Sequence, residues 1–448
     1  MRATLNAGQA SCADAIDSGE NLLILGGGGV GKSYLIRYIK QRYGHETVFM
    51  STTGITAINI GGMTSHRALA LPIGFPETTW LRNTTKSFNK LWRNRKAIKR
   101  IVLDEVSMSR SDTFTCIDLR LRHIFRNDKP FGGLQVILAG DIFQIPPVIN
   151  YTSEEGKLVL AEHGSEFFFH TKSFLEGGFK VISLTESMRT EDKIMKKYLD
   201  DIRFGTNLDE AIDFFNARYM EPPRNHNLVT MVCTNKEVDR GNSRVFRKNP
   251  NREWHYTGMS EGIFRETDKS VPDLLQLKEG LRVMSLVNTP SSFQNGSCGT
   301  VKLCATNQVL VDFDDIGEVM VTPSIWENCE YVSDMRVASA VYTPEELEEK
   351  ELEPNDYIDV VEKVTIGRYT QMPLRQANFI TAHKAQGSSL TGAVIDLGYG
   401  AFVAGQAYTM LSRLTCMDNM YLDRELSRHD VIVCKEAVEF YEKHAEAK

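Results

Sequence analysis

Gly26-Gly27-Gly28-Gly29-Val30-Gly31-Lys32-Ser33 fits the pattern G-x-x-x-x-G-K-[ST], a spacing that cradles polyphosphate. Glycines let the backbone close around phosphate oxygens, because no side chain intervenes and left-handed φ values are open to them. The amides of such a loop, and the start of the helix after it, point at negative charge. Lys32 would neutralise β- and γ-phosphate oxygens, and the Ser33 hydroxyl would ligate Mg2+. The substrate implied is a nucleoside triphosphate.

A second set of residues has the chemistry to hydrolyse it. Asp104 and Glu105 end an apolar run, Ile101-Val102-Leu103. Asp104 suits Mg2+ held through water, and Glu105 suits orienting and deprotonating the attacking water. Gln144, in Gly140-Asp141-Ile142-Phe143-Gln144, brings an amide that could sit beside the γ-phosphate and sense its loss. Gln9, ahead of the phosphate loop, could read an adenine edge as donor and acceptor together. Two hydroxyl-rich stretches, Ser51-Thr52-Thr53-Gly54-Ile55-Thr56-Ala57 and Gly61-Gly62-Met63-Thr64-Ser65-His66, suit phosphate-oxygen contacts or plain helix caps.

These residues need elements to hold them. Asn21-Leu22-Leu23-Ile24-Leu25 reads as a buried strand, and Tyr34-Leu35-Ile36-Arg37-Tyr38-Ile39-Lys40 has apolar residues at helical spacing. Strand, glycine loop and helix together form the context that makes the loop motif credible, against a glycine turn that binds nothing. Thr47–Met50, Ile101–Leu103 and Leu134–Ala139 read as further strands in a strand–helix alternation, which argues for a parallel α/β sheet. From Lys278 to about Tyr369 the texture turns to short strands, with Asn295-Gly296 a strong turn signal. The acidic run from Glu345 to Glu362 reads as solvated helix and loop.

With 448 residues, two to four domains are expected. Hydrophobic residues at 42% and charged residues at 25% describe a water-soluble chain, and no apolar run reaches the length of a membrane span. The N-terminus has no signal-peptide core, so a cytoplasmic protein is expected. None of the eight cysteines forms a C-x-x-C pair, which points to reduced, mostly buried thiols. A net charge of −6 argues against coating nucleic acid by bulk attraction, yet the charge is segregated. Leu81–Arg100 carries Arg82, Lys86, Lys90, Arg93, Arg95, Lys96, Lys99 and Arg100 with no acid. Phe75, Trp80, Phe88 and Trp92 interleave with this basic excursion. It reads either as a single-strand nucleic-acid surface, with rings for bases and cations for phosphates, or as a basic helix burying its rings in a subdomain core.

Gly26–Ser33, Asp104-Glu105-Val106-Ser107-Met108 and Gly140–Pro147 together resemble the superfamily 1 helicases. The likeness is to the 5′-to-3′ subgroup holding the Pif and Dda helicases. Phe131-Gly132-Gly133-Leu134-Gln135, Thr53–Ala57 and Gly61–His66 are similar to the Pif branch in particular. Ser183-Leu184-Thr185-Glu186-Ser187-Met188-Arg189 resembles the fourth motif, and Val232-Cys233-Thr234-Asn235-Lys236 a further strand-end motif. Thr381–Gly387 resembles motif five and Gln406–Arg413 motif six.

The resemblance implies two RecA-like parallel-sheet motor domains. The first spans residues 1–170 with a wedge or pin insertion at 67–99, and the second spans 171–265 with 371–448. A small SH3-like β-barrel is inserted at 266–370. It implies ATP and Mg2+ as cofactors, with Gln9, the phosphate loop and Gly387 at the nucleotide and Arg189 and Arg413 reaching its γ-phosphate from the second domain. Thr52, Thr53, Thr64, His66, Asn235, His383 and Lys384 would hold single-stranded DNA. Phe75, Trp80 and Phe88 are the pin candidates, with Phe75, between Gly74 and Pro76, best suited to a hairpin tip. The implied partners are single-stranded DNA and forked duplex, with replication or recombination proteins, acted on by a monomer in a bacterial or phage-infected cell. Two other readings share the motor motifs: a translocase that displaces proteins with little unwinding, and a nucleotide-dependent protein remodeller. No separate carboxylate cluster suggests a nuclease, and, with the motor motifs starting so early in the sequence, no nicking domain is expected.

Overall fold

The strand that feeds the phosphate loop, Leu22–Leu25 (β1), is buried along its whole length, as an apolar run at the centre of a parallel sheet must be. The computed structural model describes residues 5–445 other than 54–55, 58–59, 73, 75, 77–79, 83, 85–87, 90–91, 94, 187–192, 223–227, 265, 267–268, 270, 288, 290–291, 294–296, 315, 341–343, 350–351, 387–389, 391 and 415–416. In it β1 pairs with Gln135–Gly140 (β5) on one side and Lys180–Ser183 (β6) on the other. The sheet continues through Arg100–Asp104 (β4), Thr47–Ser51 (β2) and Met63–Thr64 (β3). The order is β3-β2-β4-β5-β1-β6, and every pairing is parallel. All the strands therefore end on one edge, where the loops after β1, β2, β3, β4 and β5 converge, the usual place for a ligand crevice in a parallel sheet.

Helices cover the sheet because their apolar faces need burial. Lys32–Tyr43 (α2) packs Leu35, Ile36 and Ile39 against Leu22, Ile24, Val102 and Ile137. Ala7–Asp17 (α1) opens with a capping box between Asn6 and Gln9, which satisfies two backbone donors reciprocally.

Ser111–Phe125 (a helix labelled α4, after Ser65–Leu69, α3) carries a buried carboxylate that organises the turn before β5. Asp118 accepts hydrogen bonds from the Phe131 amide (2.6 Å), from the Ser173 hydroxyl (2.8 Å) and from Arg122 Nε and Nη2 (both 2.9 Å). The chain then passes so close to α4 that a Cβ at Gly132 would lie 2.6 Å from the Leu121 carbonyl oxygen, at a φ of +67°. Gly132→Ala should therefore cost about 2–4 kcal/mol, the left-handed penalty plus an unrelieved backbone clash. The drop would be read as a lowered urea midpoint at constant m.

The aromatics of the basic excursion go inward. Trp80, Phe88 and Trp92 are all buried. Trp92 Nε1 donates to the Ala68 carbonyl (2.9 Å), and its ring meets Phe125 edge-on. The Arg120 guanidinium, from α4, lies 4.6 Å from the Trp80 ring centroid and 5.2 Å from that of Phe88. It also donates to the carbonyls of Leu81, Trp80 and Ala70. Trp80 and Phe88, expected as pin candidates, are buried and hold the excursion to α4 by cation–π contact. Phe75 lies outside the described residues.

A second parallel sheet has the order Phe379–Thr381 (β8), Val229–Val232 (β7), Ala393–Asp396 (β9) and Met420–Leu422 (β10). It shares one compact unit, residues 1–242 with 378–448, with the first sheet. The helices that matter below are Lys193–Phe204 (α5), Asn235–Lys248 (α6) and Gln406–Leu411 (α7).

Residues 243–377 form the other unit. Its main sheet is antiparallel and five-stranded, with the order Gly317–Val321, Gln308–Phe313, Cys298–Ala305, Arg282–Ser285 and Leu374–Gln376. Val283, Val301, Val309, Val311 and Phe313 fill its core. The acidic run departs from the expected helix and loop. Pro344–Glu349 is helical, but Tyr357–Gln371 is a long strand paired with Ser324–Val337, and Met259–Gly262 joins it on the other side. Asn295 and Gly296 lie outside the described residues.

Among the described residues no helix is long and apolar enough to cross a membrane. Of the described cysteines, Cys12, Cys116, Cys233 and Cys304 are buried, all with free thiols.

Candidate active site

The glycine loop is shaped by two different constraints. Gly29 and Gly31 have φ values of +77° and +88°, which side chains resist. Gly26, Gly27 and Gly28 are required for space instead. A Cβ at Gly26 would meet Val30 Cγ2 at 2.6 Å. At Gly27 it would meet the Tyr408 hydroxyl at 3.0 Å, and at Gly28 the Ser412 carbonyl oxygen at 3.2 Å. The outer face of the loop is thus closed by α7 and the residue that caps it, which belong to the second sheet's connections. Gly31 caps α2 without a side-chain hydrogen bond, which leaves the helix's first amides for an anion.

Lys32 folds back over the loop, and its Nζ donates to the carbonyls of Gly26 (2.6 Å) and Gly27 (2.9 Å). Its side chain is only half-buried, yet desolvation of the ammonium lowers its pKa, opposed by the carboxylates of Asp141, Glu105 and Asp104. The Ser33 hydroxyl is on the exposed side of the first turn. Gln9 is wholly buried, and both ends of its amide are occupied: Oε1 accepts from the Asn6 amide (3.1 Å), and Nε2 donates to the Gly31 carbonyl (3.3 Å). In this state it braces the phosphate loop.

The two acids at the end of β4 differ sharply. Burial, and then the charge of Glu105, push the Asp104 carboxyl up to about 7, moderated by the Glu105 amide and Lys32. Glu105 takes a left-handed backbone conformation, φ 52°, rare for a residue with a side chain and common at functional sites. Its Oε2 is buried with no hydrogen-bond partner among the described residues. So is Oε1 of Gln144, whose Nε2 donates to Asp141 Oδ2 (3.4 Å). A buried carboxylate oxygen and an amide oxygen without donors are costly unless something arrives to supply them, such as a water. An exposed Ser33 hydroxyl at the start of α2 and a buried Asp104 carboxylate at the end of β4 are oxygen donors of the kind that suits Mg2+, which takes few protein oxygens and keeps several waters.

Arg413, at the end of α7, is buried; its Nε donates to the Thr409 carbonyl (3.2 Å) and its Nη2 to the Ser412 hydroxyl (3.1 Å). Arg189 and Gly387 lie outside the described residues. Three residues that were not singled out from sequence line the same cleft: Arg203 on α5, and Tyr408 and Thr409 on α7. Tyr408 Oη donates to Asp141 Oδ2 (2.7 Å), Arg203 Nη2 lies 3.1 Å from Asp141 Oδ1, and Thr409 Oγ1 accepts from the Ile145 amide (3.0 Å). Tyr408 and Thr409 sit inside the stretch that resembles motif six, where the arginine drew the reading; Arg203 has no local signal beyond its amphipathic helix.

The residues expected to hold a strand lie at the ends of neighbouring strands. In the first sheet Ser51 is in register with Thr64, which sets Thr52, Thr53 and Thr64 side by side. Some of these hydroxyls also have structural work. Thr52 Oγ1 donates to the Glu105 carbonyl (3.0 Å), Thr53 Oγ1 shares a hydrogen bond with Thr56 Oγ1 (2.6 Å), and Thr64 accepts from the Arg67 amide as the cap of α3. The first ties the end of β2 to the Glu105 backbone, and the second joins residues three apart in the segment after β2. His66 is exposed on α3. In the second sheet Thr381 is in register with Val232, which brings Asn235, exposed at the start of α6, near the turn carrying His383 and Lys384. Both of those are half-buried, and desolvation holds the His383 pKa below its ordinary value.

The sequence profile of the PIF1-like helicase family matches residues 4–208. The ATP-dependent DNA helicase Pif1 of Bdellovibrio bacteriovorus is 27% identical over 442 residues, covering 97% of this chain and 90% of that protein. The ATP-dependent DNA helicase RRM3 of Saccharomyces cerevisiae is 27% identical over 466 residues; 89% of this chain matches, and it spans 62% of the yeast protein's length. Among solved structures, Bacteroides Pif1 bound to ssDNA superposes with a TM-score of 0.80 at 26% identity, covering 98% of this chain and 97% of that one. The Bacteroides Pif1 complex with ADP-AlF3 and ssDNA gives 0.79 at 27% identity, with the same coverage.

Proposed function

The chain belongs to the PIF1-like family of ATP-dependent DNA helicases, and on that premise we propose that it couples ATP hydrolysis to 5′-to-3′ movement along single-stranded DNA and parts the duplex ahead. ATP lies between the two parallel sheets. Lys32 leaves the Gly26 and Gly27 carbonyls for the β- and γ-phosphates, Glu105 orients and deprotonates the attacking water, and the Gln144 amide faces the γ-phosphate. Ser33 and Asp104 would hold Mg2+, which when bound neutralises phosphate charge. Arg413 reaches across from α7, and Arg189 completes the set. Closure around the γ-phosphate and its release after hydrolysis alternate the grip of Thr52, Thr53, Thr64 and His66 with that of Asn235, His383 and Lys384. Phe75 is the remaining candidate for the separating pin.

One observation carries this reading: among the described residues, Glu105 Oε2 and Gln144 Oε1 are buried without donors, in a site whose lysine rests on its own loop's carbonyls. Those oxygens suit a bound water, and the lysine suits a phosphate.

Two measurements test it. ATP turnover should rise on adding an unstructured oligonucleotide and should weaken as salt is raised, since phosphate contacts release counterions. Given two forked duplexes with opposite single-stranded tails, only the one with a 5′ tail should open. Turnover indifferent to oligonucleotide would leave the protein remodeller as the better reading. Opening of the 3′-tailed fork alone would reverse the polarity.

A further inference from the structure

We infer that Arg203 and Tyr408 are positioning residues of the ATPase cycle, a clamp on Asp141 that aims Gln144 and links filling of the phosphate loop to closure of the cleft. The inference rests on the ATP-site reading above and assigns a role to residues outside it.

Asp141 follows β5 at the floor of the cleft and is completely buried. Its Oδ2 accepts from Tyr408 Oη (2.7 Å) and from Gln144 Nε2 (3.4 Å), and its Oδ1 accepts from the Phe143 amide (3.3 Å). Arg203 Nη2 approaches that same Oδ1 to 3.1 Å. The two clamping side chains come from α5 and α7, whereas Asp141 comes from the first sheet. The grip extends along the segment after Asp141. The Ile145 amide donates to Thr409 Oγ1, and the backbone at Gly405 runs so near that a Cβ there would lie 2.3 Å from the Phe143 carbonyl oxygen. Gln144 sits in the middle of this gripped segment, so its amide moves with the clamp.

The same two side chains touch the phosphate loop. A Cβ at Gly27 would lie 3.0 Å from Tyr408 Oη and 3.7 Å from Arg203 Nη1. The Gly27 carbonyl is one of the two that hold Lys32. Asp141 is thus the carboxylate between two cations, Lys32 and Arg203, each of which feels its charge. When phosphate draws Lys32 away, the Asp141 charge is left to Arg203 and Tyr408 alone. Their hold on it strengthens in a site with little water, where charge interactions are large.

Stability by itself does not account for the arrangement. A buried ion pair repays its desolvation cost poorly, and an apolar set of the same volume would pack as well. Arg203 is enclosed by the rings of Phe143 (4.5 Å to the centroid), Phe204 (5.0 Å) and Tyr441 (5.8 Å). Despite the short approach to Asp141, its Nε and Nη2 make no directed hydrogen bond among the described residues. The guanidinium is held near the carboxylate with donors to spare for a tighter geometry, as a part that shifts during a cycle requires.

The test uses the full chain with saturating oligonucleotide. Tyr408→Phe removes one hydroxyl and no volume; Arg203→Lys keeps the charge and loses the fork. Each should lower kcat for ATP by about 10–100-fold, the cost of misplacing a positioned group. KM for ATP and the affinity for a fluorescent ADP analogue should stay within about twofold of wild type. The double variant Tyr408→Phe/Asp141→Asn should be no slower than the slower single variant, because the members act as a unit. An unchanged kcat in Tyr408→Phe overturns the clamp. So does a loss of ADP-analogue affinity in step with kcat, which would make these residues direct nucleotide ligands. A wild-type protein without oligonucleotide-stimulated turnover would instead remove the ATP-motor reading, a separate result.

Discussion

Lys32→Ala is expected to abolish ATP turnover, by about 10³-fold or more, while single-strand affinity stays within a few-fold of wild type. The magnitude follows from the loss of a fixed positive charge at the transferring phosphoryl group, where one cation supplies about 10³–10⁵ in kcat. The position of the lysine makes the expectation sharper. Lys32 Nζ is held at 2.6 and 2.9 Å by the Gly26 and Gly27 carbonyls, so the charge that the variant loses is one the loop itself positions. The residues proposed to hold the strand belong to other connections: Thr64 to the end of β3, Asn235 to the start of α6, His383 to the turn after β8. Phosphate release at saturating oligonucleotide reads the first half, and fluorescence anisotropy of a labelled oligonucleotide reads the second. Near-normal turnover would sink the ATP-site assignment as a whole.

Arg413→Ala should be nearly as severe, with kcat reduced by about 10³-fold or more and nucleotide affinity largely kept. Arg413 comes from the segment after α7 and Lys32 from the phosphate loop, so in the proposed site its loss should remove stabilisation of the transferring group and leave the loop's own hydrogen bonds in place. Arg413→Lys should not restore the rate. The Arg413 contacts include Nε to the Thr409 carbonyl and Nη2 to the Ser412 hydroxyl, made from separate nitrogens of one planar fork, a spacing that the single nitrogen of an ammonium does not reproduce. Single-turnover hydrolysis alongside binding of a fluorescent ADP analogue separates the two effects. A lysine variant as fast as wild type would show that charge alone suffices there.

The local chemistry was legible because it is written in contiguous residues. The strand Leu22–Leu25, the glycine turn and the helix from Lys32 occur where apolar runs and glycines place them. The acidic pair ends its strand at Asp104, with Glu105 just past it in the turn. The hydroxyl clusters needed the sheet before they could be weighed. Thr52 proves to tie the end of β2 to the turn after β4, while Thr53 bonds locally to Thr56. The excursion was balanced between two readings because basic and aromatic residues suit either. Arg120, remote in sequence and on α4, draws Trp80 and Phe88 inward. The acidic run read as solvated helix and loop because its charges obscure the alternation of a strand. Tyr357–Gln371 is extended because a partner, Ser324–Val337, supplies its hydrogen bonds.

By itself the sequence determined that a triphosphate loop precedes an acidic strand end in a parallel α/β protein, since each of those depends on neighbours within a few residues. Only the tertiary structure decided what closes that loop. Tyr408 and Asp141 are 267 positions apart, and Arg203 joins them from a third segment. No periodicity or spacing encodes that meeting: it exists only after two separate sheets have formed and brought their strand-end connections together, at a cost in chain entropy that long-range contacts alone repay.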